Sequence, residues 1–369
     1  MTIDSKILFS QQNLRVVLVG CGAISRLFYA PALLTLASSE KLSISYLVDP
    51  NPKRLSELSV FFPSAVKIDN INLFQSFEAD LAIVASPQRF HAEQATKLLA
   101  QGIHVLCEKP LASNLAEAES MVQIASQNKR LLAVGLFRRF FPITEFVRDL
   151  ISGQDLGSPL RFFWSEGGEF NWPAASPSFF QKESSTGGVF ADLGAHVLDL
   201  LLYWFGIVED FNYRDDYMGG LEANASLDLR FQNGVTGKLR LSRDTSIPNS
   251  VWIEFARGFL YFHGGSACDV TLQLKHSNLS AKSTLHLKPK NTSPMDFSSS
   301  QPSQSYAQSF TEQIRNFSSA IRGQEPLRMP ASEALISIAL IERCYKQRKL
   351  MAMPWMDETE LLAAQVLAS

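Results

Sequence analysis

No uninterrupted apolar stretch in this 369-residue chain approaches the roughly 20 residues that a membrane span needs. No basic block stands out either. The 34 Lys and Arg against 36 Asp and Glu leave a formal charge of −2, so nucleic acid and anionic membrane are poor partner choices. Cysteine is scarce. Cys21, Cys107, Cys268 and Cys344 lie too far apart for a zinc knuckle or a Cys-x-x-Cys motif, and scattered cysteines suit a reducing compartment. The opening residues, MTIDSKILFSQQNLRVV, lack the charged start, apolar run and cleavage site of a signal peptide. There is no internal repeat. What remains is an ordinary composition, 46% hydrophobic and 19% charged, long enough for two domains with real cores. A soluble cytoplasmic protein is the expectation.

The first third alternates strand and helix signals. Short apolar runs at 14–20, 43–49, 79–87, 103–110 and 130–137 are separated by helical patterns at 23–38, 52–62, 90–101 and 114–128. Such alternation predicts a doubly wound parallel sheet. Pro31 falls inside the first helical pattern and should kink or shorten it. Asn114 and Glu117 take the spacing of a capping box.

Past residue 140 the pattern changes. Helical stretches at 142–152 and 189–205 are followed by strand-like runs such as ASLDLRF, GVTGKLRLSR, SVWIEFARG and DVTLQLKH. Asn233-Gly234 and Arg257-Gly258 read as hairpin turns. A large, mostly antiparallel open sheet with helices on one face is expected, making this an α+β domain. The Ser/Pro-rich stretch 290–305 reads as a loop, and helical patterns return at 306–323 and 331–349. The expected division is 1–137 for an α/β nucleotide-binding domain of Rossmann type. Residues 138–369 form the substrate-binding and oligomerisation domain, whose C-terminal helices can pack back on the first.

VVLVGCGAIS places Gly20-x-Gly22-x-x-Ser25 between a strand and a helix. A tight turn there, with Ala23 and Ile24 opening the helix, brings backbone N–H groups to a pyrophosphate. Ser25 stands where the full fingerprint has a third glycine. Asp49 ends the second strand, where an acid accepts ribose hydroxyls. An acid also repels a 2′-phosphate, which favours NAD over NADP, although Lys53 and Arg54 stand close by.

GGVFADLGAHVLDLLLYWFG, residues 187–206, is apolar enough for a buried helix. Yet Asp192, His196, Asp199 and Tyr203 sit at i, i+4, i+7 and i+11, on one face. A buried carboxylate is costly unless hydrogen-bonded or paired. The stripe reads as a solvated face, a structural hydrogen bond or a metal site, and partners from elsewhere in the chain are needed to choose among them. A metalloenzyme using Asp192, His196 and Asp199 lacks a further ligand cluster in the sequence, so no metal is expected.

The stretch GIHVLCEKPLA, with Glu108-Lys109-Pro110, VGCGAIS, VASPQRFHAEQA and GGVFADLGAHVLDL, resembles the Gfo/Idh/MocA oxidoreductase family (glucose–fructose oxidoreductase, inositol dehydrogenase, rhizopine catabolism) from about residue 14 to 350. The resemblance implies that the Asp-x3-His helix packs beside the nicotinamide, with the Glu-Lys-Pro lysine facing it. His196 would then be the acid/base and Lys109 a donor to the reacting oxygen, while Asp192 would orient the imidazole or bind substrate. Ser86, Pro87, His91 and Glu108 would border the cofactor, with His91 supporting its loop. Arg138 or Arg139, in the family's linker, would face the substrate or pair at the domain junction. In the loop 165–188, Glu166, Glu169 and Trp172 are candidate sugar contacts. The implied substrate is a sugar, cyclitol or nucleotide sugar, and the implied cofactor is NAD, with NADP possible. An open sheet face packed on another subunit implies a homodimer or homotetramer. The competing class is a non-catalytic NAD(P)-binding regulator or sensor, whose members lose the lysine or the histidine.

Overall fold

The computed structural model describes residues 13–73, 79–173, 180–182, 185–285, 306–352, 357–360 and 362–363. Its chain divides into two compact units, Met1–Phe137 with Trp172–Thr186 and Phe310–Glu342, and Arg138–Asn171 with Gly187–Ser309 and Arg343–Ser369.

The first unit is built on six parallel strands: β1 (Leu14–Val19), β2 (Leu42–Val48), β3 (Val66–Ile68), β4 (Leu81–Val84), β5 (His104–Cys107) and β6 (Leu132–Val134). Their order is β3-β2-β1-β4-β5-β6, the doubly wound order of dinucleotide-binding folds. The central strands are apolar at almost every position because helices cover both faces. These helices are α1 (Ala30–Leu36), α2 (Pro52–Ser59), α3 (His91–Ala100) and α4 (Leu115–Gln127). Asn114 caps α4 by accepting from Glu117 N at 2.9 Å, while the Glu117 carboxylate accepts from Ser113 N at 3.0 Å.

The helix expected over 23–38 is not continuous. Residues Ser25–Tyr29 form a π-helical turn, and α1 follows with Pro31 in its first turn. A proline costs no hydrogen bond there, which explains how Pro31 is accommodated.

The second unit opens with α5 (Pro142–Gly153), β7 (Pro159–Gly167) and α6 (Val189–Phe205). Then come β8 (Val208–Asp215), β9 (Asn224–Phe231), β10 (Thr236–Ser242), β11 (Ser250–Phe255), β12 (Gly258–His263), β13 (Asp269–Leu274) and β14 (Ser280–Thr284). Two helices, α7 (Tyr306–Ile321) and α8 (Ala331–Lys346), lie mostly in the first unit and precede the short β15 (Lys349–Leu350) of the second. The nine strands run β14-β13-β12-β11-β7-β10-β9-β8-β15, antiparallel except for β10 on β7 and β15 on β8. α6 packs on β9 and β10. Between helix and sheet lies an aromatic core: Trp164 stacks on Trp204 at 6.0 Å, and Phe162 on Phe205 at 5.5 Å. Gly237 leaves room for the Phe162 ring, which a Cβ there would overlap.

β8 has no strand signature in the sequence. As a strand near the sheet's edge it carries Glu209 and Asp210 on its exposed side, while Tyr213 and Asp215 point inward. The stretch 290–305 lies outside the described residues.

Candidate functional site

At the end of β1 the chain turns at Gly20, whose φ is +92°. A Cβ there would come within 2.6 Å of the Ala85 and Ser86 backbone. Only glycine meets both demands. Gly22, in contrast, has nothing within 4 Å of where its Cβ would lie. That open space is what a pyrophosphate needs to approach the backbone. Ser25 is fully buried and donates to Gly20 O at 2.6 Å, so the hydroxyl in the third glycine's place closes the turn.

Asp49 is buried at the end of β2. Its Oδ2 accepts from Cys21 N and its Oδ1 from Asn51 N, both at 2.8 Å. The expected ribose acceptor is thus also the brace of the glycine turn. Burial, then the Asp49 charge, pushes the Cys21 thiol up to about 12, so it stays protonated.

His91 opens α3 and joins two loops, with Nε2 2.8 Å from Ser86 O and Nδ1 2.8 Å from Pro110 O. Burial lowers its pKa against the opposing pull of the two carbonyls, and a neutral ring donates to only one of them at a time. Beside it, Ser86 Oγ donates to Gln94 Oε1 at 2.6 Å. Glu108 is buried after β5. It accepts from Tyr29 OH at 2.6 Å and from Lys109 N at 3.0 Å. The carboxylate therefore ties the Glu-Lys-Pro loop to the π-helical turn and holds the base of Lys109, whose side chain is half-buried.

In the second unit the polar stripe of α6 splits into two parts. Asp199 and Tyr203 belong to the core: Arg139 donates to both Asp199 oxygens at 2.7 and 2.8 Å and lies 4.0 Å over the Tyr203 ring. Arg139, a candidate substrate contact from the sequence, is thus a buried ion-pair residue within this unit. Arg138 is held likewise, donating to both oxygens of Glu166 at 2.9 and 2.7 Å. Burial alone would raise the Glu166 carboxyl, but the guanidinium outweighs it and keeps the carboxyl below its ordinary range. Glu166, a candidate sugar contact from the sequence, is thus placed in a buried ion pair with Arg138. Trp172, the expected sugar platform, stacks on Phe28 at 6.0 Å in the first unit.

Asp192 and His196 are the other part of the stripe. His196 is buried, and Asp192 is partly open with Oδ2 2.7 Å from Arg243 Nη2. At the start of α6, Glu222 Oε1 accepts from Gly188 N at 2.9 Å, Phe190 N at 3.1 Å and Tyr345 OH at 2.7 Å. Arg243, Glu222 and Tyr29 escaped the sequence reading. Each lies far along the chain from the residue it holds, and no spacing rule links them.

Comparison with known proteins decides the family. Residues 14–136 match "Oxidoreductase family, NAD-binding Rossmann fold", and residues 144–261 match "GFO/IDH/MocA C-terminal domain". The chain belongs to the Gfo/Idh/MocA oxidoreductase family. Its first domain is therefore an NAD(P)-binding Rossmann domain, which the brace at Asp49 and the open space at Gly22 fit. Among Gfo/Idh/MocA relatives, the rhizopine catabolism protein MocA of Rhizobium meliloti is 25% identical over 65% of this chain and 74% of its own length. The D-glucoside 3-dehydrogenase of Escherichia coli is 28% identical over 52% of this chain. The match spans only about half of that relative, 54% of its length. In three dimensions, levoglucosan dehydrogenase in complex with NADH and levoglucosan shares the fold at a TM-score of 0.76. It is 19% identical, and the match covers 91% of this chain and 98% of that one.

Proposed function

We propose that this chain is an NAD(P)-dependent dehydrogenase or reductase acting on a secondary hydroxyl, or the matching ketone, of a sugar, cyclitol or nucleotide sugar. The observation that carries the reading is the survival of the full polar set, Lys109 behind a fixed Glu108 and Asp192 with His196 on α6, in a chain of this family. A regulator on the same fold has no use for all three. Relatives named as acting on D-glucosides, glucose 6-phosphate and scyllo-inositol support the substrate class.

In this reading Gly20, Gly22, Ala23 and Ile24 receive the pyrophosphate, and Asp49, Ser86, Pro87, His91 and Glu108 shape the rest of the nucleotide site. NAD(P) supplies the hydride acceptor or donor. His196 takes the hydroxyl proton on oxidation and returns it on reduction, a role suited to an imidazole near neutral pH. Lys109 donates to the same oxygen and stabilises developing alkoxide charge.

The test is a panel of levoglucosan, D-glucose 6-phosphate, scyllo-inositol and UDP-glucose with NAD⁺ and NADP⁺, read by reduced-cofactor absorbance. Turnover with one of them, lowered roughly 10²–10⁴-fold in Lys109→Ala and His196→Ala, is expected. Cofactor binding without turnover of any of them would favour the regulator. Unchanged turnover in either variant would remove that residue from the chemistry.

A further inference from the structure

Two carboxylates and one guanidinium are buried together beside the start of α6, all within the second unit. Asp215 is 1% exposed and Glu222 is 2% exposed. The cation is Arg348, which follows α8; its guanidinium carbon lies 4.1 Å from the Tyr217 ring centre and 4.8 Å from that of Tyr345. Glu222 is well supplied as an anion, since Gly188 N, Phe190 N and Tyr345 OH all donate to its Oε1 at the N-terminus of α6. Asp215 is not. Its Oδ1 accepts from Tyr217 N at 3.2 Å. Its Oδ2 lies 3.0 Å from Arg348 Nη2 without the alignment of a hydrogen bond, and the Tyr213 hydroxyl and Arg348 Nε are likewise buried without one. The Arg139–Asp199 pair, with aligned bonds of 2.7 and 2.8 Å, shows what full compensation looks like in the same unit. Among the described residues, the other groups around Asp215 bring no further cation. Tyr213 comes from β8, Tyr345 from α8 and Phe190 from α6, with Ala225 opposite on β9. Asp216 is turned to Ala223 N and Asn224 N, and Lys349 on β15 to Asn212.

Two buried carboxylates facing one guanidinium hold one negative charge too many, and a buried carboxylate without compensation takes up a proton. Glu222 is the better hydrogen-bonded of the two, so the proton falls to Asp215. Burial pushes the Asp215 carboxyl up to about 6, against the pull of Arg348. Asp215 is also the residue on which β15 docks. Its carbonyl accepts from Met351 N at 2.8 Å, and Leu350 is its partner where β15 runs parallel to β8. Arg348 and Tyr345 reach the cluster from the stretch of chain just before β15. We propose that Asp215 is a proton-operated latch, which when protonated holds β15 on β8 and, through Tyr345 and Glu222, firms the cap of α6, and when ionised loosens both. Docked Asp215 binds its proton more tightly than a solvent-exposed aspartate. The docked state is therefore favoured in acid and loses that support as pH rises through about 6.

The experiment is hydrogen exchange on the full-length protein from pH 5 to pH 8, read by mass spectrometry on peptides covering 347–352 and 187–192. Dividing by the intrinsic chemical rate removes the ordinary pH dependence of exchange. In wild type the protection of 347–352 should fall about tenfold over this range and level off above pH 6, the size expected when a carboxyl near 6 returns to its ordinary value on undocking. Protection of 187–192 should fall in the same direction. Asp215→Asn, which carries no charge, should stay protected and lose this slope, and the difference between the two proteins isolates Asp215 from every other titrating group. A flat wild-type profile at 347–352, or protection that rises with pH, overturns the proposal whether or not Asp215→Asn folds. Folded Asp215→Asn that keeps the wild-type slope overturns it as well. Movement at 347–352 with none at 187–192 overturns the coupling to α6. No substrate is needed, so the outcome is independent of the oxidoreductase reading.

Discussion

Arg138 and Glu166 form a bidentate pair with both side chains under 10% exposed, so removing one partner strands the other. Glu166→Gln should cost about 3–5 kcal/mol, measured as a fall in the denaturant midpoint at pH 7. The sign with pH follows from the depressed carboxyl. Its folded-state pKa lies below the unfolded one, so the contribution is full above the unfolded value and is lost as pH falls through the folded value. Wild type should therefore lose more stability than Glu166→Gln when acidified below the ordinary carboxyl range. Asp49 is also two-sided. Because it braces Cys21 N, Asp49→Ala should weaken NAD and NADP alike as well as narrow the gap between them. Fluorescence titration with both cofactors separates the two effects. Wild type binding NADP(H) more tightly than NAD(H) would remove the expected NAD preference.

At the scale of elements, α6 depends on the two residues before it, Gly187 and the N-cap Gly188. A Cβ on Gly188 would collide with Glu222 O, and one on Gly187 with the Tyr345 hydroxyl. The glycines let a distant carboxylate cap the helix, since Gly188 brings no capping side chain of its own. Gly188→Ala should destabilise by at least the ~1–3 kcal/mol typical of overpacking, seen as a lower Tm. Glu222→Ala should lose about 0.5–2 kcal/mol, the range for a lost N-cap, by the same measurement. A melt unchanged in both would mean that α6 starts elsewhere in solution.

At the scale of the molecule, the nine-stranded sheet has one face on α6 and another turned outward. Register decides which residues lie where: Leu239 and Phe255 are buried, while Phe163, Trp252 and Tyr261 are cross-strand neighbours on the outer face. Phe163 and Tyr261 are exposed in the single chain, and Trp252 stacks beside them on Phe259 at 5.5 Å. An aromatic strip of this kind is a self-association surface in waiting. A dimer or tetramer with a two-fold axis through this face is the expected result of light scattering at micromolar concentration, and Trp252→Glu should shift it toward monomer. A wild-type monomer would refute it. No helix among the described residues is long and apolar enough to cross a membrane.

Much was legible in the residues because it rests on local rules. Alternation of short apolar runs with helical patterns gives a parallel sheet and five of its six strands, all but the three-residue β3, and glycine spacing locates the turn after β1. The family follows from short motifs, since Glu-Lys-Pro and Asp-x3-His each sit within a few residues of chain. Tertiary structure alone decided which polar side chains are spent on one another. Asp199 and Asp192 look alike on a helical wheel, yet one is committed to Arg139 in the core and the other is held partly open by Arg243. Strand β8 and the caps of α6 were invisible for the same reason. β8 pairs with β15 on one side and α6 is capped by Glu222, partners distant in the chain that no local pattern encodes.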